Sequence, residues 1–286
     1  MNIKNKSFKI ALMMITPFLV GLLIFYIIPL CISFYFSLTS GIGKLEFVGL
    51  KNFIELFKND AYILASKNTF IFMIMAIPLN IIISLIIALL LNSKLKNISF
   101  FRTISILPLV IPVSAVILTW QIFLDYYGII NNILYKFNIN QIDWINSKYS
   151  LAVIILMYLW KNCAYNIIIF LVGLNNIPTN YYEAAKIDGC GNFRSFMNIT
   201  IPLLKSSTLF VLIISISNSF KVYREAYLLA GEYPNESIYM LQNFMVNNFN
   251  NLNYQRLSSA AFIIFFIISL ILFIFYRNNK AHEVEY

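Results

Sequence analysis

The sequence predicts an all-α polytopic membrane protein with six transmembrane helices and both termini cytoplasmic. Three observations carry this. Of 286 residues, 60% are hydrophobic and 12% charged, whereas an ordinary soluble protein is about a quarter charged. The mean hydropathy is +0.76, and so apolar a chain has too little polar surface to cover a water-soluble globule. The charges that remain are confined mostly to short segments between long apolar runs, with Lys and Arg biased to one set of those segments.

A spanning helix needs about 20 mostly apolar residues, because roughly 30 Å of hydrocarbon is crossed at about 1.5 Å per residue. Residues 10–43 are free of charge. That run is too long for a cleaved signal core and has no A-x-A site, so a retained span is expected at about 10–38. The charge-free runs 68–93, 103–124 and 257–276 give spans at 68–92, 103–124 and 257–276. Two more spans contain charges: 149–174 holds Lys161, and 203–230 holds Lys221, Arg224 and Glu225. Pro17, Pro29, Pro78, Pro108 and Pro112 predict kinks or helix starts, which membrane helices tolerate when neighbours satisfy the freed carbonyls.

The outer loops are expected at about 39–67, 125–148 and 231–256. Residues 52–57 read as a short surface helix, and the Asn-rich stretch 247–253 as an irregular loop. None is long enough for a second folded domain, and no internal repeat is visible, so 1–286 is read as a single transmembrane domain.

Lys and Arg counts set the orientation. Eleven lie on one side: Lys4, Lys6, Lys9, Lys94, Lys96, Arg102, Lys186, Arg194, Lys205, Arg277 and Lys280. Seven lie on the other: Lys44, Lys51, Lys58, Lys67, Lys136, Lys148 and Arg256, matched there by seven acids. The richer side is the cytoplasm. The net charge of +9 is thus a topology signal, with attraction to anionic headgroups. It is not a nucleic-acid footprint, because no basic cluster sits on a soluble domain.

Several chemistries are excluded. Cys31, Cys163 and Cys190 are odd in number and far apart, so neither a disulfide framework nor a zinc site is expected. The single histidine, His282, lies in the C-terminal tail, which removes histidine metal sites and triads. The nine glycines form no G-x-x-x-x-G-K-[S/T] loop, so no nucleotide is bound in the P-loop manner. No metal site or enzyme constellation is expected.

The most informative segment is 178–202, between the fourth and fifth spans. Pro178 ends the fourth span. Asn180 can cap a new helix, with Glu183 three residues on in a capping-box-like arrangement, at the positive end of the helix dipole. Ala184 and Ala185 leave a small-residue face that lets another body approach closely. Gly189 and Gly191 end that helix, and a second short helix is expected at 193–199, before Pro202. A helix–turn–helix with a bare alanine face reads as a docking element.

The spacing is Glu183-Ala184-Ala185, three residues, Gly189, nine residues, Ile199-x-x-Pro202. It resembles the E-A-A loop of binding-protein-dependent ABC importer permeases, with Ile201 where leucine is usual. The likeness extends to Pro17-Phe18, Tyr26-Ile-Ile-Pro29, Phe47-Val-Gly-Leu-Lys-Asn-Phe53, Phe100-Phe-Arg-Thr103, Leu107-Pro108, Trp160-Lys161, Tyr165-Asn166 and Ala185-Lys-Ile-Asp-Gly189. Together these are similar to the carbohydrate branch, the maltose- and glycerol-phosphate-like permeases. Gly231-Glu-Tyr-Pro234 stands where that branch often has Gly-Gly-Pro.

The resemblance implies a type I ABC importer permease fold, with a permease core over 68–276 and a coupling loop over 178–202. Glu183, Ala184, Ala185, Asp188, Gly189, Ile199 and Pro202 would form the ATPase-coupling loop. The implied partners are a second permease subunit in a heterodimer, two ABC ATPase subunits that bind the ATP, and an extracytoplasmic solute-binding protein. No cofactor is implied for this chain itself. The implied function is import of a mono- or oligosaccharide. Glycerol phosphate is the alternative cargo, for which Lys221 and Arg224 are suggestive. An ion-coupled carrier would need an intramembrane carboxylate, for which Glu225 is the sole candidate.

Polar groups in hydrocarbon are costly and usually face a bundle interior or cavity. Tyr158, Asn162, Tyr165 and Asn166 fall on one face of the fourth span. Ser215, Asn218, Lys221, Val222 and Glu225 share a face of the fifth. Amides hydrogen-bond hydroxyls and tyrosine rings stack on sugars, so Tyr158, Asn162, Tyr165, Asn166 and Asn218 are candidates for a substrate path. The alternative is that the amides bond across helices as structural glue. Lys221 and Glu225 are spaced as an i, i+4 pair. With Arg224, they form either an outer gate or contact for the binding protein, or a snorkelling cluster. Lys161 is also expected to snorkel.

Overall fold

The computed structural model describes residues 3–41, 44–93 and 98–283. Lys94 and Lys96, counted above for orientation, lie outside the described residues, as do the side chains of Lys4, Lys6, Lys9, Lys280 and His282. Helix α1 (Ile3–Leu22) runs through a π-turn at Leu23–Ile27 into α2 (Ile28–Leu38). A short antiparallel hairpin, β1 (Thr39–Ser40) with β2 (Glu46–Phe47), leads to α3 (Lys51–Leu56). Then come α4 (Asp60–Asn92), α5 (Ile98–Val110), α6 (Val113–Leu124), α7 (Ile129–Lys136) and α8 (Ser150–Asn175). After them lie α9 (Thr179–Ile187), α10 (Asn192–Ser195), α11 (Ile201–Leu203), α12 (Lys205–Ser219) and α13 (Tyr223–Ala230). Helices α14 (Leu241–Asn250) and α15 (Tyr254–Glu283) complete the chain. Among the described residues six segments are long and apolar enough to cross a membrane: Leu12–Leu38, Asp60–Asn92, Val113–Lys136, Ser150–Asn175, Lys205–Ala230 and Tyr254–Phe275.

The prolines set the irregularities. Pro29 lies in the first turn of α2 and Pro202 in the first turn of α11, and each follows a five-residue π-turn. A proline offers no N–H to the carbonyl four residues back, and a π-bulge absorbs the mismatch. Ile28 N–H reaches back to Leu23 O, and Ile201 N–H to Phe196 O. Pro112 acts more strongly. The run expected as one helix over 103–124 is two, α5 and α6, with Pro112 extended at φ −59° and ψ 143° as the cap of α6. The residue before a proline is pushed out of the α region, which ends α5 at Val110. Pro108 stays inside α5.

The chain divides into two compact units, one of residues 1–63 with 245–270, the other of 64–244 with 271–286. In the first unit Asn52 Nδ2 donates to Ser37 O at 3.0 Å and Thr39 O at 2.8 Å, which satisfies carbonyls left open at the end of α2. Gln255 Nε2 donates to Gly41 O at 3.0 Å, and Phe34 stacks edge-on against Phe262 with ring centroids 5.2 Å apart.

The Asn-rich stretch 247–253 differs from expectation, because α14 continues through Asn250. Its end is a Schellman motif. Asn253 N–H donates to Asn248 O at 2.8 Å and Leu252 N–H to Phe249 O at 3.0 Å, with Leu252 left-handed at φ 57°. Asn247 and Asn248 are buried, unlike the solvated asparagines that an irregular loop would carry.

The second unit is built around α8, which packs on α5, α12 and α13. One apolar cluster joins Phe72, Ile117, Ile154, Met157, Val222 and Ala226, and a second joins Ala88, Leu91, Ile167, Phe170, Leu174 and Leu204. Membrane helices pack closely where small residues meet, and Gly173 of α8 is such a point. A Cβ there would collide with Ser207 Oγ and lie 2.8 Å from Leu204 Cδ2. Gly173→Ile is therefore expected to lower the thermal midpoint of the detergent-solubilised protein by overpacking that costs about 1–3 kcal/mol. Gly173→Ala should cost less, since Ser207 can rotate away. An unchanged midpoint for both would contradict this packing.

Candidate functional site

Two sites emerge, both in the second unit. The first is the loop of α9, α10 and the π-turn Phe196–Thr200. Helix α9 begins after Pro178, whose backbone is extended at φ −62° and ψ 135°, and no side chain caps it. The expected capping box of Asn180 and Glu183 is therefore absent. Proline fixes the start two residues earlier than a capping asparagine would, and Asn180 falls inside the helix. The far end is as the glycine spacing predicts. Asp188 is the C-cap and Gly189 is left-handed at φ 72°. Cys190 N–H donates to Ala185 O at 2.8 Å and Gly189 N–H to Lys186 O at 3.1 Å, a Schellman pair.

The open face of this loop is apolar as well as small. Ala184 and Glu183 are exposed and Ala185 half-buried. Ile187 is 87% exposed and Phe193 77%. Isolated exposed apolar residues are ordinary, but a group of them beside a small-residue face marks an interaction surface. Tyr182 O–H and Thr200 Oγ1 lie 2.9 Å apart, and Tyr182 and Ile199 pack on the second apolar cluster. The loop is thereby tied to the root of α12. A push on α9 has a direct route into the fifth span.

The second site lies in the spans. Tyr158 and Asn166 of α8 are buried, 2% and 1% exposed. Tyr158 O–H donates to Ser215 O at 2.9 Å. Asn166 Nδ2 donates to Asn80 Oδ1 at 2.9 Å and to Ser215 Oγ at 3.1 Å, and Ser84 Oγ donates to Asn80 Oδ1 at 3.0 Å. This network ties α4, α8 and α12 together. Tyr165 is 40% exposed on the outside of its helix, away from those partners.

Asn162 and Asn218 stand elsewhere. With Val113, Tyr158, Lys161, Lys221, Val222, Arg224 and Glu225 they line a cavity of about 170 Å³. Of the residues read as a substrate path, Tyr158, Asn162 and Asn218 thus share one chamber with those read as an outer gate, whereas Tyr165 and Asn166 do not line it. Glu225 is paired differently from its spacing. Its Oε1 lies 3.8 Å from Lys161 Nζ of α8, whereas Lys221 Nζ donates to Asn218 Oδ1 at 3.2 Å. The tighter 3-10 turn Phe220–Val222 rotates Lys221 off the face it would share with Glu225 in an unbroken α-helix. Lys161 does not snorkel; it crosses to α13.

Sequence reasoning missed Asn80 and Ser84. The signal was an asparagine two residues after Pro78 inside a charge-free run, with a serine one turn on. A lone amide in hydrocarbon needs a partner, but the partner is 86 positions away.

Residues 68–282 match the family of binding-protein-dependent transport system inner membrane components. The trehalose/maltose transport system permease protein of Thermococcus litoralis is 30% identical over 274 residues, covering 94% of this chain and 92% of that protein. The arabinooligosaccharide transport system permease protein of Bacillus subtilis is 34% identical over 221 residues, 74% of this chain and 69% of its own. A solved bacterial ABC transporter that imports the acidic polysaccharide alginate superposes with a TM-score of 0.81 at 20% identity, covering 96% of each chain; this is a likeness of fold. The chain belongs to the family of binding-protein-dependent transport system inner membrane components. It is a multi-pass membrane permease with the type I ABC importer fold.

Removing one partner of a buried ion pair leaves an uncompensated charge, which costs about 3–5 kcal/mol. Lys161→Met should therefore lower the thermal midpoint markedly, and Lys161→Met with Glu225→Gln should recover most of the loss. Equal midpoints for wild type and Lys161→Met would show that the pair is idle.

Proposed function

We propose that this chain is one permease subunit of an ATP-driven importer for a mono- or oligosaccharide, with both termini in the cytoplasm. In this reading residues 178–202 are the coupling loop, within a permease core over 68–276. The observation that carries it is the exposed Ala184 and Ile187 beside half-buried Ala185, on a helix closed by left-handed Gly189 and hydrogen-bonded to the root of α12. Two ATPase subunits dock on this loop and on the matching loop of a second permease and bind the ATP, so this chain needs no cofactor and hydrolyses nothing itself. ATP binding closes the ATPase pair, α9 moves with it, and the Tyr182–Thr200 contact passes the motion to the fifth span.

The sugar reading rests on two supports. Relatives are named for trehalose, maltose and arabinooligosaccharides, and the cavity beside Asn162 and Asn218 carries amides suited to hydroxyls. At about 170 Å³ it is smaller than the roughly 300–1,000 Å³ of a typical ligand site. It holds part of a sugar, and a second permease subunit supplies the rest. An extracytoplasmic binding protein delivers the load. A second reading keeps this machinery and changes the cargo: Lys221 and Arg224 on the cavity wall suit an organic phosphate such as glycerol phosphate.

Two measurements check the machinery. Uptake into vesicles loaded with ATP should persist when a protonophore abolishes the proton gradient; its collapse at constant internal ATP would point to ion coupling. In the loop, Ala185→Trp should hold the ATPase off. Gly189→Val should strain a left-handed position at a cost of about 1 kcal/mol or more and tilt α10. Both variants should insert normally yet lose most transport, and normal uptake by both would remove the coupling role.

A further inference from the structure

We infer that Glu225 reads the substrate: its free carboxylate oxygen accepts a hydrogen bond from a sugar hydroxyl, with Lys161 as the positioning residue. The inference rests on the sugar-permease reading and names what the cavity recognises. Glu225 is 9% exposed. Its Oε2 is buried and has no hydrogen-bond partner among the described residues. Lys161 Nζ, 3.8 Å from the other oxygen, balances the charge but is beyond the roughly 2.7–2.9 Å of a charge-assisted hydrogen bond. The carboxylate is therefore electrically compensated and chemically unsatisfied. A buried acceptor in that condition costs free energy until a donor arrives, and Glu225 stands on the wall of a cavity through which one can.

The rest of the wall says what kind of donor. Asn162 Nδ2 gives one of its two hydrogens to Tyr158 O at 3.0 Å, which leaves the other hydrogen and its Oδ1. Asn218 Oδ1 accepts from Lys221, which leaves its Nδ2 as a donor. The chamber thus offers amide donors and an amide acceptor beside a carboxylate matched in charge by Lys161. A hydroxyl both donates and accepts. Neighbouring hydroxyls on one sugar ring meet this set without bringing charge into the span. A bare cation would meet Lys161, Lys221 and Arg224, and an anion drawn by those cations would leave the open oxygen of Glu225 without a donor.

The test uses the whole transporter, reconstituted in proteoliposomes with its ATPase and binding protein. Labelled maltose, trehalose, lactose and arabinotriose are the probes, followed by monodeoxy analogues of whichever is carried. Glu225→Gln should raise KM about tenfold or more with little change in kcat. Lys161→Met with Glu225→Gln, the variant whose fold is protected, should show the same KM. For the wild type one deoxy analogue should be penalised about tenfold, and in the double variant that penalty should shrink towards none. A double variant with wild-type KM and the wild-type deoxy penalty would reduce Glu225 to a structural ion pair. A fall in kcat at unchanged KM would make it a gate, and either result overturns the inference while the sugar reading stands. If the wild type carries none of the four sugars, the sugar reading fails and the inference falls with it.

Discussion

Inside roughly 30 Å of hydrocarbon there is no water to satisfy a stray polar group, so each must find its partner within the protein. The second unit is organised by that constraint. Asn80, Ser84, Asn166, Ser215 and Tyr158 sit on three helices and hydrogen-bond to one another, with Asn80 Oδ1 accepting from two of them and Asn80 Nδ2 left open. Each bond fixes the rotation of one helix against its neighbour, which apolar packing in lipid does only weakly. With α4, α8 and α12 set in this way, Asn162 and Asn218 fall on one chamber, and Glu225 comes within reach of Lys161. The same constraint bears on the backbone irregularities, since the turn before each of Pro29 and Pro202 widens to a π-turn whose closing N–H bonds, Ile28 to Leu23 O and Ile201 to Phe196 O, are kept.

The two sites answer different requirements. The loop after α8 stands outside hydrocarbon, where exposed Ile187 and Phe193 are tolerable until a partner covers them. The chamber stands inside a span, where an open carboxylate oxygen has a cost until a donor comes. The first site suits steady attachment and the second suits transient occupation. Thr200 and the root of α12 lie on the route between them, so a displacement at the loop reaches the helix that carries Asn218.

How much was legible follows from the range of each interaction. The helix–turn–helix over 178–202 was legible because its determinants are local: Pro178, Gly189 and Pro202 act within one or two turns. Six spans were legible because hydrocarbon thickness dictates their length. The break at Pro112 was foreshadowed by the residue itself. The Lys161–Glu225 pair was not legible, since the i, i+4 spacing of Lys221 offered a nearer partner and only the 3-10 turn at Phe220–Val222 rules it out. The Asn80–Asn166 bond escaped for a similar reason. Amphipathic periodicity assigns a polar residue to a face but does not say which distant face it meets. The Asn-rich stretch misled because composition stood in for burial: Asn243, Asn247 and Asn248 are inside, and α14 forms around them.

In the proposed reading ATPase subunits drive this chain through residues 178–202. The most direct measurement is to purify the tagged chain from its own membranes in mild detergent and weigh the intact complex by native mass spectrometry. The expected complex holds one copy of this chain, one similar permease and two ATPase subunits, and ATPase is lost from it when Ala185 carries a bulky side chain. A complex that contains this chain and other membrane subunits but no ATPase would contradict it.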